Sequence, residues 1–401
     1  MHSVTQFLLL IALFSPQVDG GFRVGGGLLE EAPIVLVQPW IGAQWDRLQF
    51  ALGPPIRMDL DAGQIRTKDW DETADYGRIL HWLQWGDTLR AGVISHRSLA
   101  NGTLVRRYHN HVDIDHPRLG LEIRLDMQPP RRWMPDYYEL MIDQILAQPV
   151  MGGALGYMDD KGHLLMQGAA DFAYPAHIDG GLDDTGWPRS TRMMRGGVGL
   201  SGRFQLWAPN ERYTVSLLGD ADMLTTRAWG THLGVELEVD DGRDWRVELA
   251  SNLMILGENY TWSLFDTGYL IDRWRGISDE LAVAKQALGS RSNLQVTYAD
   301  SVIVGTHYAD AQQAGRADLG AWVRVPFKRA TVGAYWRVRR VQAGAAFFDF
   351  DEVLAALSAH ATLTHPLSVE FTLSRDWFAQ PSGRYAPHTS ALLSVEARWS
   401  N

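Results

Sequence analysis

The stretch YHNHVDIDH, Tyr108 to His116, sets His109, His111, Asp113 and Asp115 at every second position. On a strand these side chains leave one face about 6.5–7 Å apart. Two imidazoles at i and i+2 plus a carboxylate can share a metal ion, so His109, His111 and Asp113 are the candidate ligands. A ligand beyond the strand pair would have to come from elsewhere, with His96, Asp115 and His116 as the candidates. The competing reading is a polar stretch between two strands that merely meets water. Just upstream, SHRSLANG puts His96 and Ser98 on one strand face, as a base and a nucleophile require, with Asn101 and Gly102 following. No other pattern asks for a cofactor, and none is expected.

What must position these residues is a sheet. In RLGLEIRLDM, Leu119, Leu121, Ile123, Leu125 and Met127 alternate with Gly120, Glu122, Arg124 and Asp126. That is the strand period; a helix would scatter the charges around its circumference. HLGVELEV, YTVSLLGDADM, PLSVEFTLS and SALLSVEARW repeat the pattern. Roughly 16 to 18 such segments, each about 9 to 13 residues long, fill the chain after its N-terminus. Strands of globular proteins run about 5 to 6 residues, whereas a tilted strand crossing a bilayer needs about 9 to 11.

The N-terminus carries an apolar run from Phe7 to Phe14, then Pro16, then Val18 and Gly20 where a signal peptidase reads small residues. We expect residues 1–20 to be a signal peptide and 21–401 a single barrel domain. The chain has no cysteine, so an exported protein of this length must rest on a large core or a closed sheet. After Gly20 no run approaches the roughly 20 apolar residues of a membrane-spanning helix. The net charge of −10, without a basic block, argues against nucleic acid as a partner.

Tight links at Asp46–Arg47, Gly86–Thr88, Pro209–Asn210, Asp241–Arg243, Lys328–Arg329 and His365–Pro366 tend to alternate with long ones. The long ones are 61–75, 100–117, 175–194, 258–291, 342–352 and 379–388; the alternation falters around 304–313. Short turns on one rim and long loops on the other are the habit of transmembrane barrels. Many of the sixteen tryptophans sit near strand ends, namely Trp40, Trp45, Trp82, Trp85, Trp207, Trp245, Trp336, Trp377 and Trp399. Interfacial belts place indoles there because the ring body is apolar and its tip polar.

With the leader, alternating strands, lopsided loops and aromatic strand ends together, nearly all of 21–401 resembles the porin-like outer-membrane β-barrel proteins of Gram-negative bacteria. The resemblance is one of architecture and picks out no subfamily. Family members end in an amphipathic strand with a terminal aromatic; here Trp399 lies two residues short of the end. The resemblance implies an all-β fold, a closed antiparallel transmembrane barrel. A sheet placed in a bilayer must close to satisfy its backbone, which puts the apolar set against lipid and the polar set in the lumen. On that basis Glu122, Arg124, Asp220, Asp222, Glu236, Glu238, Arg246, Glu248, Arg324, Arg337, Arg339, Glu370, Glu396 and Arg398 line the interior. The expected role is a pore for small polar solutes in the outer membrane, with membrane lipid as the other partner.

SDELAVAKQALG, with Ser278 as N-cap and Gly289 as C-cap, predicts a short helix in the longest loop, over the mouth or folded inward. Asp143 in ELMIDQIL reads as a turn or lumen residue. In composition His96, Ser98, Asn101 and Gly102 are similar to the cluster of outer-membrane phospholipases, although Leu99 and Ala100 separate Ser98 from Asn101. A non-enzyme is expected. The alternatives are a lipid esterase in the barrel, a structural or adhesive barrel acting through its loops, and a secreted carbohydrate-binding protein.

Overall fold

The computed structural model describes residues 17–29, 32–71, 73–94, 97–110, 118–127, 134–146, 149–175, 192–210, 212–261, 264–266, 269, 285–299, 301–311, 317–341, 353–379 and 385–400. Twenty antiparallel strands close into a barrel. They are β1 (Gln17–Leu29), β2 (Ala32–Trp45), β3 (Leu48–Leu52), β4 (Leu80–Trp85), β5 (Leu89–Gly92), β6 (Gly120–Asp126) and β7 (Tyr137–Ile142). Then come β8 (Val150–Asp159), β9 (Gly162–Pro175), β10 (Arg192–Asn210), β11 (Tyr213–Leu224), β12 (Trp229–Asp240) and β13 (Trp245–Leu256). The wall ends with β14 (Ala287–Tyr298), β15 (Val302–Ala311), β16 (Ala317–Phe327), β17 (Ala330–Val341), β18 (Val353–Thr364), β19 (Leu367–Ala379) and β20 (Tyr385–Ser400).

Each strand pairs with its chain neighbour, and β1 pairs with β20 from Asp19↔Ser400 to Leu28↔Ala391, so no edge is left open. Gln17–Gly20 belong to β1, so the strand starts ahead of the expected boundary at Gly21. Asp19 accepts from Arg398 at 2.6 Å. The indoles of Trp399 and Trp40 lie against Gly20 and Gly21, where a Cβ would collide with the rings.

The face assignment follows from exposure. On β12, Leu233 and Val235 are 57% and 48% exposed, while His232, on the opposite face just before Leu233, is 1% exposed. A soluble barrel would reverse this. The exposed apolar row recurs on β10 and β20, with Val198, Leu200, Phe204, Leu393 and Val395. Burying that surface in acyl chains is what makes the wall stable, and the chain is a membrane-spanning barrel. Among the described residues no helix is long and apolar enough to cross a membrane.

Strand connections at 46–47, 86–88, 160–161, 211–212, 241–244, 299–301, 328–329 and 365–366 lie on the rim that also holds both ends of the sheet. The strand ends that flank 53–79, 93–119, 176–191, 257–286 and 342–352 lie on the opposite rim, and within the first of these Ile56–Asp59 pairs with Ile34–Val37 of β2. Trp85, Trp207, Trp245 and Trp399, all more than half exposed, end their strands on the short-turn rim and form one aromatic girdle.

Several expectations need correction. The wall has two strands more than the upper expected count. β5 stops at Gly92, whose φ of 136° lets the chain leave the wall, so Ser98 does not sit on the strand face expected for it. Gly289 is no helix cap; it pairs with Met254 inside β14, so the preceding loop ends before Ala287. Ser278 and the body of the expected helix lie outside the described residues. The region 304–313, where alternation falters, holds the regular strand β15. Leu119, expected against lipid, is 8% exposed and faces an interior cavity. Trp40 points inward, its indole N–H donating to Glu396 at 3.1 Å, and is no part of the girdle.

Candidate functional site: two segments folded into the lumen

The connection after β5 turns into the barrel. Gly102 N–H donates to the Leu99 carbonyl at 2.8 Å to close a tight turn, and Ala100 and Arg107 adopt φ of 47°. Non-glycine residues hold that conformation when their surroundings over-determine it. The surroundings here are the wall itself. Arg97 bonds Glu122 of β6 at 3.1 Å and also pairs with Glu139 of β7. Asn101 Nδ2 donates to the Gly202 carbonyl of β10 at 3.0 Å and to Asp220 of β11 at 3.2 Å. Gln167 of β9 donates to Thr103 Oγ1 at 2.6 Å and to Asp222 at 3.2 Å. Arg291 of β14 grips the carbonyls of Gly102 and Asn101 at 3.0 and 3.2 Å, and Arg106 bonds Asn293 two residues further along the same strand. The guanidinium of Arg107 lies 3.4 Å from the ring centre of Trp322 on β16. One segment can touch strands from β6 round to β16 only from inside the barrel.

A second segment, from the connection after β13, joins it. Phe265–Asp266 pair in parallel with Val105–Arg106. Asp266 accepts from Arg337 of β17 at 2.7 Å, Tyr269 donates to Asp171 of β9 at 2.7 Å, and Tyr260 donates to Asp222 at 3.3 Å. Burial and the neighbouring Asp222 carboxylate push the Tyr260 phenol well above its ordinary range, which keeps it a donor. Between the segments and the wall Leu99, Leu104, Val105, Tyr108 and Phe265 pack on Val150, Met254, Leu256 and Ala309, all buried. The inner wall at this level therefore carries apolar side chains among its polar ones, which corrects the expectation that the inward set is polar throughout.

Towards the short-turn rim the inward set is charged and paired. Arg203 bonds Glu236 at 2.5 Å, and Arg246 bonds Glu238 and Glu248 at 2.8 and 2.9 Å. Arg23 bridges Glu370 and Glu396, each at 3.1 Å. Arg124 lies 5.3 Å from the ring centre of Tyr137, while nearer the opposite rim Arg337 holds Asp318 as well as Asp266. Arg398 sits at the rim on Asp19. Arg324 is exposed and has no hydrogen-bond or ion-pair partner among the described residues. Arg339 lies in β17, with its side chain outside the description.

Two cavities flank the folded-in segments. One of about 660 Å³ is lined by Arg90, Arg97, Glu122, Arg124 and Asp126 among others. Another, of about 590 Å³, is lined by Ser98, Arg107, Trp322, Arg324 and Tyr335 among others and includes no carboxylate. Burial draws the Arg107 guanidinium down to about 10, against an opposing pull from Tyr335, so it remains a cation at neutral pH.

The metal and esterase candidates divide. His111 and Asp113, with His96, Asp115 and His116, lie outside the described residues. Tyr108 makes a lone antiparallel bridge with Arg97 and belongs to no strand. No group of three His, Cys, Asp or Glu among the described residues can hold a metal. Ser98 Oγ accepts from the Arg107 N–H at 2.9 Å, while Asn101 is spent on the wall. Asp143 is fully buried after β7, where it accepts from Tyr108 Oη and Arg118 at 2.6 Å each and from Val150 N–H at 2.5 Å. Arg23, Arg203, Arg291 and Gln167 escaped the sequence reading. Strand parity marks Arg291, Asn293 and Gln295 as one face once 287–298 is read as strand.

Fold and site together define a transmembrane β-barrel of the outer-membrane class whose lumen is narrowed by two of its own loops. No family model matches the sequence, and a comparison with curated proteins finds no match. Among solved structures the chain is similar to the outer membrane protein OprD from Pseudomonas aeruginosa, at 10% identity over 96% of this chain and 94% of that one, TM-score 0.36. It is likewise similar to OccK9 (OpdG) of the same organism, at 11% identity over 96% and 99%, TM-score 0.38. OccAB2 from Acinetobacter baumannii gives 10% identity over 96% and 98%, TM-score 0.37. Likeness at that level assigns no role to any residue.

Proposed function

We propose that the barrel is a pore for small polar solutes in the outer membrane of a Gram-negative bacterium. The observation that carries this reading is the pair of charge-lined cavities beside the folded-in segments, since a water-filled route past a constriction needs walls that solvate ions. The inward arginines and glutamates found from the sequence act there as selectivity groups, together with Arg107 and Arg203. Residues 1–20 are read as the export signal; cleavage after Gly20 leaves Gly21–Leu29 of β1, still long enough to cross a bilayer at a tilt.

Arg324 is the direct test. It faces the cavity that has two arginines and no carboxylate in its lining, so its charge acts on whatever passes. In planar bilayers under a potassium chloride gradient, Arg324→Glu is expected to move the reversal potential toward that of potassium, with conductance kept within about twofold. An unchanged reversal potential removes Arg324 from the path. Silence of the unmodified protein would favour the structural or adhesive barrel. The engagement of Ser98 and Asn101 in holding the inner segment supports a pore over an esterase.

A further inference from the structure

The cavity of about 590 Å³ beside the inner segment is a notch in the wall. Arg324 of β16, Gly333 of β17 and Ser358 of β18 stand opposite one another across the ladder, and Thr331, two residues before Gly333, shares their face. Adjacent strands run about 4.8 Å apart, so the backbones carrying Arg324 and Ser358 are separated by roughly twice that, with no side chain between them. A Cβ at Gly333 would lie 3.1 Å from Ser358 Oγ, so a larger residue there would crowd the hydroxyl and fill the notch. The inner segment supplies the facing side. Arg107, stacked on Trp322, donates its backbone N–H to Ser98 Oγ at 2.9 Å. A hydroxyl that accepts in this way keeps its own hydrogen for another partner.

What the notch offers is donors. Arg324 has no ion pair or hydrogen bond among the described residues, and neither have the side chains of Gln295, Thr331 and Ser358 in the same lining. The carboxylates on neighbouring strands are taken, Asp318 by Arg337 and Glu370 by Arg23. The charge of Arg324 therefore stands in a lining that contains no acid. One guanidinium fork satisfies both oxygens of a carboxylate. Hydroxyls and an amide beyond that fork suit an anion with a third terminal oxygen and a second charge, and a phosphate group has both.

We propose that this notch binds phosphate monoesters of small alcohols. Arg324 meets the phosphoryl oxygens, Ser358 and Thr331 donate to the same group, and Ser98 and Gln295 meet the hydroxyls of the alcohol. This rests on a lumen that solutes can enter, as the pore reading requires, although binding itself needs no route right through the barrel.

The full-length barrel in a non-ionic detergent is titrated by calorimetry with glycerol phosphate, glycerate and inorganic phosphate. At about pH 8 the ester is a dianion, since its second ionisation lies near pH 6. It is expected to bind about tenfold tighter than glycerate, the worth of one added charge-assisted hydrogen bond, and several-fold tighter than inorganic phosphate. At about pH 5 the ester loses its second charge, and its affinity should fall several-fold while that of glycerate holds. Ser358→Ala combined with Thr331→Val should bring the affinities for ester and glycerate to within about twofold of each other, and Arg324→Gln should weaken both. Heat-modifiable bands on gels show that each variant is folded. Glycerate bound as tightly as the ester, a preference unmoved in the folded hydroxyl variant, or inorganic phosphate bound as tightly as the ester each overturn the proposal. Conductance measured on the same protein separates the two readings: bound ester with a silent bilayer sinks the pore alone, and a conducting barrel that binds no ester sinks the site alone.

Discussion

Replacing residues 98–107 with a Gly–Gly link is expected to raise single-channel conductance several-fold while the barrel still folds. Arg97 and Tyr108 face each other in an antiparallel bridge, their N–H groups donating to each other's carbonyls at 3.0 and 2.7 Å. A two-residue hairpin link suits that geometry. The excision removes Asn101, Thr103, Arg106 and Arg107, and with them the contacts to β10, β9, β14 and β16. None of those contacts belongs to the ladder between strands, so a heat-modifiable band should persist on gels. A barrel of this circumference is wide enough for an aqueous channel when its loops do not fill it. Unchanged conductance in a folded variant would mean that the segment does not obstruct the route.

The largest stability effect is expected at Asp143. It is fully buried and holds Tyr108, Arg118 and the Val150 N–H at once, tying the inner segment to the start of β8. Asp143→Ala leaves the Arg118 guanidinium, itself buried, without that carboxylate. Breaking a buried pair from one side costs about 3–5 kcal/mol. The variant should lose its compact gel band at a lower temperature and unfold at lower urea. A change under about 1 kcal/mol, the size of an exposed pair, would show that Asp143 anchors nothing.

Much of the wall was legible because a membrane barrel writes its two faces into a period of two. HLGVELEV presents Leu233 and Val235 outward with His232 and Glu236 inward, as parity alone requires. β4 and β5 were harder to count as crossings, since LHWLQW and LRAG are too short for the length rule that identified the others. β14 was partly hidden because in its upper half, Ala287 to Asn293, Leu288 is followed on the outward face by Ser290 and Ser292 rather than by further apolar residues. The inner site was hardest. Asn101 and Gly102 stand next to Ser98 in the sequence and look like pieces of a hydrolase, but their partners, Asp220 and Arg291, are more than a hundred residues away. Local pattern carries no record of such pairings. The apolar residues Leu99, Leu104 and Val105 mark a segment that needs cover, yet an amphipathic loop does not announce whether it folds over the mouth or into the barrel.

The central claim is that the leucine and valine side of each strand meets lipid while the charged side meets water in the lumen. Single cysteines at Leu233, Val235, Glu236 and Glu238 test it on one strand of a chain that has none of its own. In proteoliposomes a water-soluble maleimide should modify positions 236 and 238 and spare 233 and 235, while a quencher carried on acyl chains should affect probes at 233 and 235 only. The reverse pattern, with 233 and 235 open to water-soluble reagent and 236 and 238 shielded, would contradict both the membrane assignment and the pore.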